Sequence, residues 1–305
     1  MDTGGSTLGG TLAVRQAHQL WRAALAATAA FLLAYALRVR SHPGAHASLI
    51  RRAPAPLAAG DLDRDGLPDA LEAELAARFA PVVVLHATDG TRPASIPWLL
   101  SRFGQPAAAQ GGLPAALRPG SSDPRDWTTY VHVYPRADGG INVQYWFFYL
   151  YNAKPPFFDH DTDWEHVTVR VTAGGEPLGV YFAQHGDCSP GAYRAWRDVR
   201  RDADHPIVLS ARGSHASYPD QASVSWFDSV SRCVTLDRCR DPIWRTDQAG
   251  GLVNVGEPRA LLGSDGLRQA LAFGGRWGGD ARFLRSRTAP HGPAHQSGFL
   301  VDGFE

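Results

Sequence analysis

The residues from Trp164 to Val171 alternate between apolar and polar side chains with a period of two. Such alternation is typical of a β-strand that buries one face. An aromatic run from Ile141 to Tyr151 precedes it, and a turn at residues 137–140 joins that run to an alternating segment from Trp127 to Tyr134. This pattern predicts a hairpin followed by a third strand. Together with 32 glycines and 22 prolines, which favour turns over long helices, it predicts a mainly β fold, an antiparallel β-sandwich with a few short helices.

Further segments complete the predicted organisation. The sequence predicts strands over Pro81–His86, Leu178–His185 and Pro206–Ala211, and helices over Pro68–Phe79, Ala192–Arg201 and Asp265–Phe273. We divide the chain into a signal-anchor or signal peptide (1–40), a flexible linker (41–60), an acidic loop with its helix (61–80) and the β-sandwich domain (81–305).

An uninterrupted apolar run with one threonine extends from Ala23 to Leu37, between Arg22 and Arg38. As a helix it covers roughly 22 Å, which spans the hydrocarbon layer only if both arginines extend to the interface. The run predicts an N-terminal apolar helix that attaches the chain to a membrane as an uncleaved signal-anchor. A cleaved signal peptide is the alternative, because residues 45–47 have a small-x-small pattern. In both cases the remainder is exported, either membrane-anchored or secreted.

The charge balance excludes one large class of partners. Lysine and arginine number 30, as do aspartate and glutamate, so the basic surface that nucleic-acid binding requires is missing. The three cysteines fit an oxidising compartment. Cys233 and Cys239 flank a five-residue loop that could close as a disulfide, and a bridge from Cys188 to either of them is the alternative.

A twelve-residue acidic loop begins at Asp61 and matches the calcium loop of EF-hands. Its ligand positions are occupied by Asp61, Asp63, Asp65, Leu67 through its carbonyl, Asp69 and Glu72. Gly66 permits the sharp bend, and so many carboxylates repel each other unless a hard cation is present. The two prolines in residues 53–59 are incompatible with the usual entering helix. The sequence therefore predicts a structural Ca²⁺ site rather than a paired sensor.

A second acidic segment, Asp159 to His166, brings four acidic groups and two imidazoles to the start of a hydrophobic strand. Charges at the mouth of a buried strand are costly unless they are paired, and a divalent cation can pair with several at once. The period of two directs Asp163 and Glu165 to the side of Val167. With His160 just before them, these carboxylates form half of a predicted metal site. A solvated acidic turn is the alternative.

Several ordered motifs resemble the vacuolar protein sorting-associated protein 62 family. They are Val143–Tyr149, His160 with Asp163–Val167, Phe182–His185, His205–Val208, Gly213–Pro219 and Phe273–Gly278. The resemblance extends from about Leu75 to Pro293. That family has no established biochemical activity, so the resemblance implies a fold and no particular chemistry.

The strand and acidic loop also look like those of the necrosis- and ethylene-inducing peptide-like proteins. These are secreted β-sandwich cytolysins that bind sphingolipid headgroups with the help of a divalent cation. Their motif Gly-His-Arg-His-Asp-Trp-Glu overlays residues 159–165, which implies metal-binding roles for His160, Asp163 and Glu165. Asn152 stands in place of the fourth ligand, an aspartate, and its amide oxygen can also bind calcium or magnesium. Thr162 departs from the motif's second histidine.

A mixed oxygen and nitrogen ligand set with one histidine favours Ca²⁺, Mg²⁺ or Mn²⁺ over zinc at this central site. His185 and His215 each follow an apolar strand and are candidates for lining the cleft, although satisfied core histidines are the alternative. Ser214 and His215 are adjacent and point to opposite sides in a strand, which argues against a nucleophile–base pair. The aromatic residues that are candidates for the rim of a cleft are Tyr134, Tyr149 and Trp226.

Two functions are compatible with these features. The first is an exported, metal-dependent, non-enzymatic module that recognises a lipid headgroup or a glycan at a surface, with a separate structural calcium loop. The alternative is a divalent-metal-dependent hydrolase in which Asp163 or Glu165 activates a metal-bound water.

Overall fold

Two β-sheets packed face to face form the centre of the molecule in the computed structural model. The structure describes residues 60–106, 112–154, 158–185, 191–248, 250–256, 261, 263–279 and 289–299. The strands are β1 (Val82–Val84), β2 (Thr129–Pro135), β3 (Ile141–Asn152), β4 (His160–Val171), β5 (Pro177–Phe182), β6 (Ala192–Ala195), β7 (Arg201–Asp202), β8 (His205–Ser210), β9 (Ser217–Tyr218), β10 (Ile243–Arg245) and β11 (Leu252–Asn254). The α-helices are α1 (Asp69–Arg78), α2 (Ile96–Arg102) and α3 (Asp265–Leu271).

The larger sheet has six strands in the order β11-β2-β3-β4-β5-β6, and the smaller has five in the order β10-β1-β8-β7, with β9 paired to β8. Both sheets are mixed, because β11 is parallel to β2 and β1 is parallel to β8. The prediction of a mainly β fold with short helices is confirmed, and the prediction of purely antiparallel sheets is wrong. The strands in each parallel pair are far apart in sequence, so a long connection lets the second strand run in the same direction.

The core between the two sheets is built from alternate residues of the long hairpin. Tyr145 and Phe147 of β3 and Val167 of β4 point towards Val83 and Val208 of the smaller sheet. Helix α1 adds its buried face to the same core, where Leu75, Ala76 and Phe79 lie. The predicted helix over Pro68–Phe79 is therefore confirmed to within one residue at each end, and its packing fixes the acidic loop beside the sandwich.

The opposite face of the larger sheet carries a second core that is rich in tryptophan. Trp146 and Trp164 pack there with Trp277, and the Trp164 and Trp277 rings meet edge to face at 5.4 Å. Helices α2 and α3 cover this core with Leu99 and Leu267. Because aromatic rings bury large apolar areas, this layer keeps β3 and β4 inaccessible on both faces.

Some predicted elements differ from the structure. The helix expected over Ala192–Arg201 is wrong: residues 192–195 form β6 along the edge of β5, and Trp196 packs edge to face on Phe79 at 5.5 Å. Gly179 leaves the space that the Tyr193 side chain fills, since a Cβ there would lie 2.2 Å from the Tyr193 hydroxyl. Long-range packing thus outweighs a helix-compatible sequence.

Three further predictions concern the start of β4, the pairing of the cysteines and the N-terminal apolar run. Strand β4 begins at His160, four residues earlier than the expected start at Trp164. Cys233 and Cys239 form the disulfide, and Cys188 lies outside the described residues. The apolar run from Ala23 to Leu37 lies outside them too, and none of the described helices is long and apolar enough to cross a membrane.

Two buried histidines make the stability of this fold depend on pH. Burial lowers the pKa of His166, which stacks on Trp146, from 6.5 to about 3, and that of His132, which stacks on Phe299, to about 4. The unfolded chain binds these protons below pH 6.5, so stability is lost as pH falls from 6.5 towards about 4 for His132 and towards about 3 for His166. Each histidine should lower the free energy of unfolding by about 2 kcal/mol at pH 5 relative to pH 7.5.

We expect His166→Phe to reduce the loss of unfolding free energy between these two pH values by about 2 kcal/mol, because phenylalanine keeps the stacking and does not titrate. Urea denaturation at pH 7.5 and pH 5 measures it. An equal loss in the variant and the wild type would show that His166 is not the titrating group.

Candidate functional site

Carboxylates and imidazoles converge at one end of the central strands. We call this group the acid–histidine cluster, and it consists of Asp89, Asp163, Glu165, His185, His215 and Asp228. Asp163 and Glu165 lie on β4, whereas the other four lie in loops that follow β1, β5, β8 and β9. The hairpin therefore supplies the base of the cluster, and loops from both sheets supply its walls.

The direction of the two β4 carboxylates follows from the strand register. Asp163 pairs with Tyr149, and Glu165 pairs with Phe147, both of which belong to the core between the sheets. The two acids therefore share the face of Val167, as the alternation predicts. Their side chains are almost fully buried, with exposures of 5% for Asp163 and 7% for Glu165.

His215 is held between two carboxylates. Its Nδ1 lies 2.8 Å from Asp163 Oδ2, and its Nε2 lies 3.6 Å from Asp89 Oδ2. The ring stacks on Tyr149 at 3.8 Å with an interplanar angle of 6°. Gly213, with φ at 77°, lets the loop approach β3, since a Cβ there would lie 2.5 Å from the Ala153 carbonyl oxygen. His215 is thus a fixed partner of Asp163.

Asp228 is the most heavily bonded acid of the cluster. Lys154 Nζ lies 2.6 Å from it, His185 Nε2 2.7 Å, the Tyr218 hydroxyl 2.7 Å and the Ser214 hydroxyl 2.8 Å. Burial raises its pKa, but the hydrogen bonds and charges of its partners outweigh burial and keep the pKa of Asp228 below its ordinary value. Asp228 is therefore an ionised, fully compensated carboxylate.

Glu165 is in the opposite situation. Within the described part of the chain its side chain has no cationic partner and no hydrogen bond, whereas Asp163 has His215 and Asp228 has Lys154. Burial first, and then the negative charges of Asp163 and Asp228, raise the pKa of Glu165 well above its ordinary value. The cluster therefore lacks positive charge at Glu165, which is the chemistry that a bound cation satisfies.

His160 and Asn152 form a pair of their own. The 2.7 Å separation of His160 Nδ1 from the Thr162 carbonyl makes Nδ1 a donor, so Nε2 accepts from Asn152 Nδ2 at 2.9 Å. Asn152 Oδ1 is buried without a hydrogen-bond partner among the described residues. The ligand atoms of His160, Asp163 and Glu165 do not all lie within 4.8 Å of one another in that part of the chain. The structure thus gives two adjoining pairs, Asn152 with His160 and Asp163 with Glu165, rather than one closed ligand set.

A left-handed residue separates these pairs along β4. Thr162 has φ at 57°, which interrupts the alternation of the strand. Asp161, just before it, accepts a hydrogen bond from the Leu113 backbone N–H at 2.9 Å and one from Arg118 Nε at 3.1 Å. Asp161 is therefore a buried structural acid that ties a distant loop to β4.

The acidic loop brings its first three carboxylates together. Ligand oxygens of Asp61, Asp63 and Asp65 all lie within 4.8 Å of one another. Burial and the charge of Asp65 raise the pKa of Asp63 to about 6. Buried Glu72 lies at the far end of the loop, where its Oε2 accepts a hydrogen bond from Asn254 Nδ2 of β11 at 3.2 Å. The loop is therefore linked to the edge strand of the larger sheet.

The other two predicted ligands of this loop, Leu67 and Asp69, take part in hydrogen bonds within the loop itself. Asp69 Oδ1 accepts a hydrogen bond from the Leu62 backbone N–H at 2.9 Å, and the Leu67 N–H donates to Asp65 Oδ1 at 2.8 Å. Asp61 accepts from the backbone N–H groups of Arg64 and Gly66. These bonds hold the turn closed through its own carboxylates.

Residues 121–229 match the family model described as vacuolar protein sorting-associated protein 62. The resemblance to that family is confirmed. The matched segment contains every member of the acid–histidine cluster except Asp89. Vacuolar protein sorting-associated protein 62 of Saccharomyces cerevisiae is 26% identical over 174 residues, which cover 48% of this chain and 36% of the relative. The matched region thus spans about a third of that relative's length.

Solved structures of the more distantly similar proteins also match, among them Necrosis and Ethylene inducing Protein 2 from the causal agent of cocoa's Witches Broom disease, with a TM-score of 0.32 and 16% identity over 56% of this chain and 72% of that one. A structure described as a toxin fold as basis for microbial attack and plant defense aligns with a TM-score of 0.43 and 18% identity over 83% of this chain and 95% of that one. NLPPya in complex with glucosamine aligns with a TM-score of 0.40 and 17% identity over 76% and 89%.

Three charged residues at the site, two of the cluster and Lys154 beside Asp228, were missed by the sequence analysis. Asp89, Lys154 and Asp228 lie in loops without periodicity. Their partners are distant in sequence, with separations of 124 for the Gly213 N–H and Asp89, 73 for Lys154 and the Phe227 carbonyl, and 43 for His185 and Asp228. The one available hint is that Asp228 follows Trp226 and Phe227, because exposed aromatic residues in a loop are often placed next to a binding site.

Proposed function

We propose that the acid–histidine cluster binds a divalent cation and, together with it, a polyhydroxylated ligand. The observation that carries this proposal is Glu165, an almost fully buried carboxylate without a compensating partner among the described residues, next to Asp163. Isolated buried charges are unfavourable unless they coordinate a metal or are neutralised. A cation at Asp163 and Glu165 removes this cost.

The donor chemistry favours a hard cation. Carboxylate oxygens dominate the cluster, and Asn152 Oδ1, buried without a hydrogen-bond partner among the described residues, is a further oxygen donor at the end of β3. Oxygen-rich sets suit Ca²⁺, Mg²⁺ or Mn²⁺, whereas structural zinc sites use cysteine and histidine. In the same proposal the acidic loop at Asp61 holds a separate, structural Ca²⁺ ion.

The ligand class follows from the same groups. Adjacent hydroxyls of a sugar can replace water on a hard cation while they donate hydrogen bonds to neighbouring carboxylates. The chemistry is shared by a free glycan and by the carbohydrate headgroup of a glycolipid. Export of the domain is part of the proposal, and the Cys233–Cys239 disulfide supports it, since disulfides persist in oxidising compartments.

A binding assay against methyl glycosides and against glycolipid vesicles, in Ca²⁺ and in chelator, tests this function. We expect binding in Ca²⁺ that chelator abolishes, and at least about a tenfold loss in Asp163→Ala, because a ligand of the cation is removed. Asp198→Ala is the matched control, because Asp198 is 57% exposed in a surface ion pair. Equal binding in Ca²⁺ and in chelator would contradict the proposal. If free glycosides compete with the vesicles for binding, the ligand is the glycan itself. If the protein binds the vesicles and no free glycoside, the ligand is the intact glycolipid headgroup.

A further inference from the structure

A β-turn presents two aromatic rings at the edge of the acid–histidine cluster. The Asp228 N–H donates to the Ser225 carbonyl at 3.1 Å, which leaves Trp226 and Phe227 at the tip of the turn. Trp226 is 86% exposed and Phe227 is 37% exposed. Most tryptophans of the described chain are buried in the cores, so an indole held this far out in solvent is unusual in this fold.

The turn is fixed to the cluster. Asp228, at its end, holds Lys154 and His185, and Lys154 Nζ also donates to the Phe227 carbonyl oxygen at 3.1 Å. The Ser225 hydroxyl, at its start, lies 3.0 Å from the Tyr218 hydroxyl. These bonds fix both ends of the turn, so its tip has a defined position relative to the cluster.

The aromatic rings continue this connection outwards. The Phe227 ring lies 4.9 Å from the His185 ring, and the Trp226 ring meets Phe227 edge to face at 5.4 Å. A path of three contacts thus leads from Asp228 to the exposed indole. The indole is thus connected to the cluster through the rings of Phe227 and His185.

We infer that Trp226 is the residue that stacks on the sugar ring of the ligand, an inference that rests on the proposed function of the cluster. The C–H bonds on one face of a pyranose carry partial positive charge and are attracted to the negative face of an aromatic ring. The hydroxyls of the same ring are then directed to the cation and its carboxylates. Trp226 selects a ring with an apolar face, which a linear polyol or a free phosphate does not offer.

The charges around the turn favour a sugar over a bilayer. An amphipathic membrane anchor combines a larger apolar surface with basic side chains that attract anionic lipids. The turn offers two rings, and Lys154, a cation that contacts it, is already paired with Asp228. The neighbouring acids Asp163 and Glu165 repel an anionic surface and accept hydrogen bonds from hydroxyls.

Titration of the full chain with a panel of methyl glycopyranosides in Ca²⁺ tests this inference, with calorimetric Ca²⁺ titration of each variant as a parallel measurement. We expect Trp226→Ala to weaken glycoside binding about tenfold and Trp226→Phe to retain most of it, with Ca²⁺ binding unchanged in both. Val234→Ala is the matched control, because Val234 is an 80% exposed apolar residue in the disulfide loop.

The outcomes separate this inference from the proposed function. Wild-type affinity in Trp226→Ala, while glycoside binding remains Ca²⁺-dependent, overturns the role of Trp226 and leaves the proposed function intact. Failure of the wild type to bind any glycoside overturns both. Binding to carbohydrate-free phosphatidylcholine vesicles that Trp226→Ala abolishes and glycosides do not compete for assigns the turn to a membrane and also overturns the inference.

Discussion

Replacement of Asp228 with asparagine is expected to destabilise the protein by about 3 kcal/mol at neutral pH, because it leaves a buried network without its anion. Asp228 has no exposed side-chain surface, and it compensates Lys154 and His185 while it accepts hydrogen bonds from Tyr218 and Ser214. Asparagine keeps the volume, but it cannot neutralise the ammonium. Chemical denaturation of both proteins measures the difference in unfolding free energy.

The pH dependence of this difference provides a second readout. The pKa of Asp228 is below its ordinary value of 3.8, so its stabilisation is present above that value and is lost as pH falls below it. The gap between wild type and Asp228→Asn should therefore narrow below about pH 4. Asp204→Asn is the control, because Asp204 pairs with Arg78 while 44% exposed, and we expect a loss below about 1 kcal/mol. Equal losses in the two variants would contradict the role assigned to Asp228.

Replacement of Glu165 with glutamine is expected to stabilise the protein without a divalent cation and to destabilise it when the cation is bound. In chelator the variant should be more stable than the wild type at neutral pH by about 1 kcal/mol or more, because a buried carboxylate near Asp163 and Asp228 is neutralised. The raised pKa of Glu165 gives the sign. Its destabilisation is absent at low pH, grows as pH rises above the ordinary pKa of 4.5, where the unfolded chain releases the proton first, and is complete above the folded pKa.

With a saturating cation the order should reverse. A ligand at about 100 times its dissociation constant stabilises the native state by about 2.7 kcal/mol. Glu165→Gln should lose the stabilisation that comes from the cation at Asp163 and Glu165 and keep the stabilisation that comes from the acidic loop. Thermal denaturation in Ca²⁺ and in chelator measures both effects. Glu74→Gln, on the exposed side of α1, should change neither. A variant that is less stable than the wild type in chelator would show that Glu165 is stabilising without a cation.

The sequence predicts those parts of the fold that depend on local pattern. The alternation from Trp164 to Val171 and the hairpin before it correspond to β2, β3 and β4, because one buried face imposes a period of two. The parallel pairing of β1 with β8 has no local signal, since it joins segments more than a hundred residues apart. The error at residues 192–201 has the same origin, because edge pairing to β5 decides that segment.

In the site, too, the local features are predictable from the sequence and the long-range contacts are not. The common face of Asp163 and Glu165 is predictable from periodicity, and the pairing of Asn152 with His160 agrees with the eight-residue spacing. The left-handed conformation of Thr162 is not predictable, and it determines that His160 bonds to Asn152 and that Asp161 contacts Leu113. Loop residues such as Asp228 reach the cluster only through the complete fold.

Calorimetric titration of the chelator-treated protein with Ca²⁺ tests the central claim most directly, since that claim is a cation at Asp163 and Glu165 that is distinct from the acidic loop. We predict two classes of site in the wild type. Asp163→Ala should remove one class and keep the other, and Asp61→Ala should do the reverse, because the two variants remove ligands of different ions. An unchanged stoichiometry in Asp163→Ala would contradict the account.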